Sequence, residues 1–265
     1  MTASAVAPAV DRRALTNIDV IGDVHGCLDE LVDLLRALEY APDAQGTWRH
    51  ADRAAMFVGD LVDRGPNSAG VLKLVMPMVA AGAALAVPGN HDLYLEDHLR
   101  GLPAPTMYGL IETMAEFERE PESFSDDVLT FLRSLPSHYV LDEGQLVVAH
   151  TGLAEEWHGQ ESRGLRRLAA NGVSHGVIDA RDPAKRHKWV RDYRGAAAVV
   201  YGHTSVLEPE WLRNTIDIDT GCVFGWRLTA LRWPERSLVS VEAREIYADI
   251  GRPFLPRSAL TRSRS

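Results

Sequence analysis

The sequence predicts an α/β fold, and three observations carry that prediction. Short β-like runs alternate with segments whose apolar residues recur at helical spacing. Five of the strand-like runs end alike, in a small residue or a Tyr-Gly pair followed by Asp, Asn or His. The chain has 265 residues, 46% hydrophobic and 25% charged, enough to bury one sizeable core.

Taken in order, Ile18 to Ile21 reads as a strand ending in Gly22-Asp23. Leu28, Leu31, Val32, Leu35 and Leu38 then recur at helical spacing, which predicts an amphipathic helix from Cys27 to Tyr40. Ala54 to Val58 is a second strand, ending in Gly59-Asp60. Pro66 is expected to open the next helix, since its fixed φ suits a first turn, and Gly82 to close it. Ala83 to Val87 is a third strand, ending in Gly89-Asn90. Thr106 to Pro136 reads as helical, a cap beside the core. Strands are predicted at Tyr139 to Ala149, Ala196 to Tyr201, Thr215 to Ile218, Arg227 to Trp233 and Ser237 to Val241. Residues 1–16 and 257–265 are expected to be disordered tails flanking one domain, 17–256.

Composition narrows the function. The formal net charge of −9 argues against affinity for duplex DNA, which rests on neutralising phosphates. No apolar run approaches the roughly 18 residues that span a bilayer. Met1 to Val10 has no leading positive charge and fits a tail better than a signal peptide. Two distant cysteines, Cys27 and Cys222, imply no disulfide framework, so both are expected to be small packing residues and the cytoplasm the default location.

The polar residues at the strand ends are the informative ones, because ligands of α/β sheets gather beyond the carboxyl ends of strands. They are Asp23-Val24-His25-Gly26, Asp60-Leu61-Val62-Asp63-Arg64-Gly65, Asn90-His91-Asp92, His150 and Gly202-His203. Carboxylate, amide and imidazole donors together suit borderline divalent ions: Mn²⁺ first, with Fe²⁺, Co²⁺ or Zn²⁺ as substitutes. Two such ions about 3.5–4 Å apart need a shared anionic bridge, which a strand-end Asp can supply. Any one of these residues alone is more often a turn, cap or surface residue; all five groups in this order point to a metal site.

The series GDVHG, GDLVDRG, GNHD, VAH and YGHT resembles the calcineurin-like phosphoesterases of the phosphoprotein-phosphatase type. The runs LPSHYVLDEGQLVVAHTGL, YRGAAAVVYGHTSVLEPEWL, TIDIDTGCVFGWRLTALRWPERSLVSVEA and GRPFL resemble, more narrowly, the phosphatase module of bacterial polynucleotide kinase-phosphatases. The resemblance spans Asn17 to Leu255. It implies a two-sheet sandwich with flanking helices and a small helical cap. It also implies that Asp23, His25 and Asp60 hold one metal, and that Asp60 bridges to a second held by Asn90, His150 and His203. His91 is then the general acid, Asp63 orients its ring, Arg64 grips the phosphate, and Asp219 supports the ligands. Thr151, Ser205 and Trp226 depart from the pattern, where Ala, Pro and a second Gly are expected, and no GxxxxGK[ST] loop is present.

The implied activity is hydrolysis of phosphate monoesters, and of 2′,3′-cyclic phosphates of nucleotides or RNA ends, by a water that two metals activate. Three alternatives stand beside it. Symmetrical diadenosine tetraphosphate hydrolases resemble the chain in GDVHGC, GNHD and DTGC, although many have no Asp where Asp63 stands. Serine/threonine protein phosphatases usually read GNHE, whereas this chain has Asp92. The last alternative is an inactive partner-binding module. His50, His98, His138, His158, His175 and His187 lie outside the motifs and are expected not to be ligands. The basic stretch from Arg163 to Arg194 reads as a solvated helix face or as a lid whose arginines hold the non-reacting part of the substrate.

Overall fold

A computed structural model describes residues 15–106, 108–172, 188–249 and 251. In chain order the strands are β1 (Ile18–Ile21), β2 (Ala41–Pro42), β3 (Trp48–Arg49), β4 (Ala54–Phe57), β5 (Ala84–Ala86), β6 (Tyr139–Leu141), β7 (Leu146–Val148), β8 (Ala198–Tyr201), β9 (Thr215–Asp217), β10 (Arg227–Trp233) and β11 (Ser237–Glu242). The helices are α1 (Leu28–Ala37), α2 (Ser68–Ala80), α3 (Asn90–Leu99), α4 (Leu110–Phe117), α5 (Phe124–Ser134) and α6 (Arg163–Asn171), with a short helical turn at Lys188–Asp192.

Two sheets form the centre. One runs β11-β10-β1-β4-β5, with β1, β4 and β5 parallel and β10 and β11 antiparallel. The other runs β6-β7-β8-β9, with only β6 antiparallel. Side-chain alternation explains how they stack. Ile18 and Val20 of β1, Met56 of β4, Leu146 and Val148 of β7, and Ala198 and Val200 of β8 share one apolar cluster between the sheets. Ile21, Ala55 and Phe57 face the opposite way, into a cluster with Leu31, Leu34 and Leu35 of α1 and Leu72 and Val75 of α2. Because β1 and β4 are covered on both faces, both are fully buried rather than alternately exposed; β4 is continuously apolar, and β1 is apolar except at Asp19. The expected two-sheet sandwich with outer helices is therefore present.

Several element boundaries differ from expectation, each for a local reason. Pro66 precedes the helix instead of opening it; Asn67 is the N-cap, and its side chain accepts from the Gly70 N–H at 2.8 Å. The segment Tyr139 to Ala149 is a hairpin of β6 and β7, because Asp142, Glu143 and Gly144 turn the chain with φ of 47°, 52° and 93°. The helical stretch 106–136 is two helices, α4 and α5. Leu110, Phe117, Phe124 and Phe131 from this cap join the same cluster as α1 and α2, so the cap forms part of the core wall. The basic stretch does begin as a helix, α6, whose N-cap Ser162 accepts from Leu165 N–H. The expected tails, apart from Leu15 and Thr16, lie outside the described residues, as do His175, Arg181, Lys185, Arg186 and His187. No helix among the described residues is long and apolar enough to cross a membrane.

Candidate metal centre and active site

Both sheets deliver polar residues to one place from the loops that follow their parallel strands. Asp23 and His25 follow β1, Asp60, Asp63 and Arg64 follow β4, and Asn90 and His91 open α3 after β5. His150 follows β7 and His203 follows β8. The loops are sharply bent: His25, Asp60, Asp63, Arg64 and His203 hold φ of 44°, 49°, 72°, 70° and 74°. Non-glycine residues seldom adopt this region, and such strain concentrates at functional sites. Gly89 is required by close approach, since a Cβ there would collide with the Asp60 carboxylate and backbone N.

Asp60 is the centre of the arrangement. Its Oδ2 lies 3.4 Å from His25 Nε2 and 3.4 Å from His150 Nε2. Its Oδ1 accepts the His91 backbone N–H at 3.0 Å. Each flanking imidazole is oriented by a main-chain carbonyl: His25 Nδ1 meets Val62 O and His150 Nδ1 meets Val58 O, both at 2.9 Å. A ring that donates from Nδ1 keeps the Nε2 lone pair for a ligand. His203 Nδ1 lies 2.9 Å from Asn90 Oδ1 and 3.2 Å from His150 Nε2. Asp23 Oδ2 accepts the His203 backbone N–H at 3.0 Å. The structure thus brings together all six residues expected to hold metals.

The donors fit a pair of divalent ions. His25, Asp60 and His91 form one group of ligand atoms lying within 4.8 Å of one another, and Asp60, His150 and His203 form another, sharing Asp60. Asp23 Oδ1 is buried and has no hydrogen-bond partner among the described residues, a state that a cation relieves. A Cβ on Gly202 would run into that oxygen. Burial pushes the Asp23 carboxyl well above its ordinary range, helped by the charges of Asp219, Asp60 and Asp217. Burial acts on Asp60 in the same sense, but His150, His91 and His25 outweigh it and hold that carboxyl well below the usual range.

Beside the centre, His91 Nδ1 lies 2.7 Å from Asp63 Oδ2, and both side chains are almost wholly buried. Burial lowers the His91 imidazole to about 3 and raises the Asp63 carboxyl to about 7. Asp63 is itself fixed: its Oδ1 accepts from Thr113 Oγ1 at 2.7 Å, and its backbone N–H donates to Ser68 Oγ at 3.0 Å. Arg64 Nη1 donates to His25 Nε2 at 2.9 Å, and its guanidinium lies over the Phe224 ring, 5.4 Å from the centroid. Asp219 accepts from Ser205 Oγ at 2.9 Å and from the Gly221 N–H at 2.8 Å. Ser205, one of the departures from the family pattern, thus holds Asp219 beside Asp23. The other two departures also make contacts: Thr151 Oγ1 donates to Ala169 O at 2.9 Å, and Trp226 Nε1 donates to Leu207 O at 2.9 Å.

In the described part of the basic stretch, Arg166 and Arg167 are engaged by partners other than the candidate ligands. Arg166 bonds to Glu96 Oε2 at 2.7 Å and to Leu135 O and Leu132 O, while Arg167 bonds to Asp97 at 2.8 Å. These arginines bolt α6 to α3 and to the end of α5. Of the other histidines, His50 pairs with Asp52, His138 with Ser137 Oγ and the Gly159 N–H, and His158 with Leu153 O.

Sequence reasoning gave no role to Asp92. It is fully buried and accepts from the Leu61 N–H at 3.0 Å and the Gly89 N–H at 2.8 Å, which stitches the Asp60 loop to the first turn of α3. Its signal was its place three residues after Gly89, an acid in a first helical turn. Thr113 and Ser68 carried no such signal.

With the geometry established, comparison with known proteins decides the family. The calcineurin-like phosphoesterase profile matches residues 16–207. The chain belongs to the calcineurin-like phosphoesterase family. It is similar to the asymmetrical bis(5′-nucleosyl)-tetraphosphatase PrpE of Anoxybacillus flavithermus, 39% identical over 89% of this chain and 98% of the relative. Similarity to the protein of the same name from Bacillus velezensis is 41% identity over 86% of this chain and 94% of the relative. A solved structure described as a candidate diadenosine tetraphosphatase superposes with a TM-score of 0.65 at 26% identity, over 86% of this chain and 94% of that one. A protein serine/threonine phosphatase from Saccharomyces cerevisiae shares the fold, with a TM-score of 0.57 at 14% identity over 91% of this chain and 82% of that one. As a calcineurin-like phosphoesterase, the chain is a phosphoric ester hydrolase with a His/Asp metal-binding site.

Proposed function

We propose that this phosphoesterase cleaves dinucleoside tetraphosphates asymmetrically, with two divalent ions, manganese foremost, held by Asp23, His25, Asp60, Asn90, His150 and His203. The observation that carries the chemistry is Asp60 Oδ2 standing 3.4 Å from both His25 Nε2 and His150 Nε2. The substrate class rests on the names of relatives about 40% identical over nearly their whole length, which favour a dinucleoside polyphosphate over a cyclic phosphate or an RNA end. A half-exposed Tyr108, its ring centroid 6.2 Å from that of His91, supports it by offering a nucleobase a face to stack on.

When bound, the two ions supply charge neutralisation at phosphorus and an activated water. Asp60 would serve both ions with one carboxylate, and the carbonyl-anchored His25 and His150 would offer them their Nε2 atoms. Asp63 fixes the His91 ring through Nδ1. With the proton of the pair on Asp63 and directed at Nδ1, His91 carries its own hydrogen on Nε2; giving that hydrogen to the leaving oxygen while the Asp63 proton moves to Nδ1 leaves a neutral imidazole and an Asp63 carboxylate. Arg64, by exchanging His25 Nε2 for phosphate oxygens, steadies the phosphate with a planar fork.

The test is product analysis after manganese-loaded protein meets diadenosine tetraphosphate. Asymmetrical cleavage divides four phosphates into AMP and ATP. Two molecules of ADP would return the symmetrical reading, and turnover confined to 2′,3′-cyclic AMP, 3′-AMP or a phosphopeptide would overturn the nucleotide reading. Acid catalysis typically contributes 10²–10⁴-fold, so His91→Ala should impair alkyl phosphates by about that factor and p-nitrophenyl phosphate far less. Equal losses, together with lost metal, would make His91 a ligand.

A further inference from the structure

Two residues beyond His25, a second buried cluster of ligating atoms stands outside the phosphoesterase centre. Cys27 Sγ, Cys222 Sγ and a Glu30 carboxylate oxygen all lie within 4.8 Å of one another, and all three residues are almost completely buried. Cys27 is the N-cap of α1, Glu30 lies in its first turn, and Cys222 begins the short turn that follows Gly221. The two cysteines are 195 positions apart in sequence, so the fold, not local geometry, brings them together.

Glu30 supplies the deciding observation. Its Oε1 accepts the Arg244 backbone N–H at 2.9 Å and the Tyr247 hydroxyl at 2.7 Å, which fixes the carboxylate. Its Oε2 is buried without a hydrogen-bond partner among the described residues. A buried carboxylate oxygen left unpaired is costly. Simple packing of two thiols leaves it so, and a disulfide would join the sulfurs and still leave the oxygen alone. A cation satisfies all three atoms at once.

We propose that Cys27, Cys222 and Glu30 form a third metal site, structural rather than catalytic, for a thiophilic divalent ion such as zinc. Thiolates select soft or borderline ions, whereas the phosphoesterase centre offers only oxygen and nitrogen. Tetrahedral zinc holds sulfur at about 2.3 Å and carboxylate oxygen at about 2.0–2.2 Å, so its ligand atoms stand about 3.6–3.8 Å apart. A triangle no wider than 4.8 Å reaches that size by closing at most about 1 Å. Three protein ligands leave the last of the usual four positions to a further donor. The ion ties the loop bearing His25 to the loop bearing Asp219 and, through Oε1 of Glu30, to the segment at Arg244 and Tyr247.

Cobalt(II), added to metal-stripped wild-type protein under reducing conditions, is the probe. Three equivalents are expected to bind, one of them producing thiolate-to-cobalt charge-transfer absorption in the near ultraviolet. Cys27→Ser and Cys222→Ser should each abolish that absorption and one equivalent while two remain. Losing even an outer partner of a metal site weakens binding by about 10–100-fold, so Glu30→Gln should move the third equivalent to at least about tenfold higher cobalt. If the serine variants do not fold, wild-type protein decides alone: two equivalents without thiolate absorption overturn the site. Isolation of the protein with Cys27 and Cys222 joined as a disulfide overturns it as well.

Discussion

Asp19 and Asp23 are four residues apart, one in β1 and the other just past its carboxyl end, and both are buried. Asp19 is fully neutralised: Arg53 Nε lies 3.0 and 3.1 Å from its two oxygens, Arg232 Nε lies 3.1 Å away, and the Tyr40 hydroxyl donates at 3.2 Å. Arg53 also bonds to Trp233 O and Glu235, closing the lower end of the sheet. Asp23 has one backbone donor, an unpartnered oxygen, and three carboxylates raising its affinity for protons. The contrast separates two uses of a buried charge. A carboxylate kept for stability meets its countercharge within the chain, whereas the proposed metal ligand meets none among the described residues.

The largest expected effect tests that deficit. Asp23→Asn should lower manganese-dependent hydrolysis of p-nitrophenyl phosphate by more than about 100-fold, beyond the loss caused by removing an outer partner of a metal site. In chelator, the same variant should melt no lower than wild type. The sign follows from the raised pKa: the stability Asp23 contributes is present below the ordinary carboxylate range and is lost as pH rises through the folded value. The charged group therefore destabilises the metal-free fold near neutrality, and the gap between variant and wild type should narrow on acidification. A variant that melts well below wild type in chelator would make Asp23 a structural residue like Asp19.

Asp19→Ala should show the converse. Breaking a buried ion pair by removing one partner costs about 3–5 kcal/mol, here because Arg53 and Arg232 lose their acceptor. Denaturant unfolding should record that loss, while kcat on p-nitrophenyl phosphate stays near wild type. A large fall in kcat with stability intact would break the comparison from the other side.

A smaller effect extends it to a neutral buried group. Burial lowers His138 to about 4, with a minor contribution from His158. A depressed pKa means that its stability contribution is present above the unfolded value, about 6.5, and is lost as pH falls through about 4. Wild-type stability should therefore decline over that window with a contribution from His138 of up to about 1.4 kcal/mol per pH unit. His138→Gln should flatten the decline; an unchanged slope between pH 6.5 and 4 would show that His138 is not buried in its neutral form.

The metal centre was readable because its signals are local: a short apolar run, a small residue, then a candidate ligand, repeated at β1, β4, β5, β7 and β8, the small residue being Ala149 at β7 and glycine at the others. At Gly89 and Gly202 the glycine lets backbone pass close to a carboxylate, and at Gly22 and Gly59 close to another stretch of backbone. The Asp19 cluster was not readable, since its partners lie 34 and 213 positions away and each looks like an ordinary surface arginine. The same holds for Arg166 and Arg167, whose acceptors on α3 are 70 positions distant. Helix α3 is not legible in the sequence because its first residues, Asn90 and His91, carry a chemical signal rather than a helical one. The DEGQ turn that splits β6 from β7 was visible in composition but was overridden by the apolar residues around it.

The meeting of Asp60 with His25 from one sheet and His150 from the other has a consequence for how the protein matures. Asp23 and His203, joined by a hydrogen bond, are 180 positions apart, and the residues between them include β4, β5, β7 and β8. A nascent chain that has made only β1, β4 and β5 owns Asp23, His25 and Asp60 but neither His150 nor His203. It therefore presents half a binding site, and full loading must await the last of these strands. Under the proposed ligand assignment, metal capture would therefore report on completed assembly of both sheets.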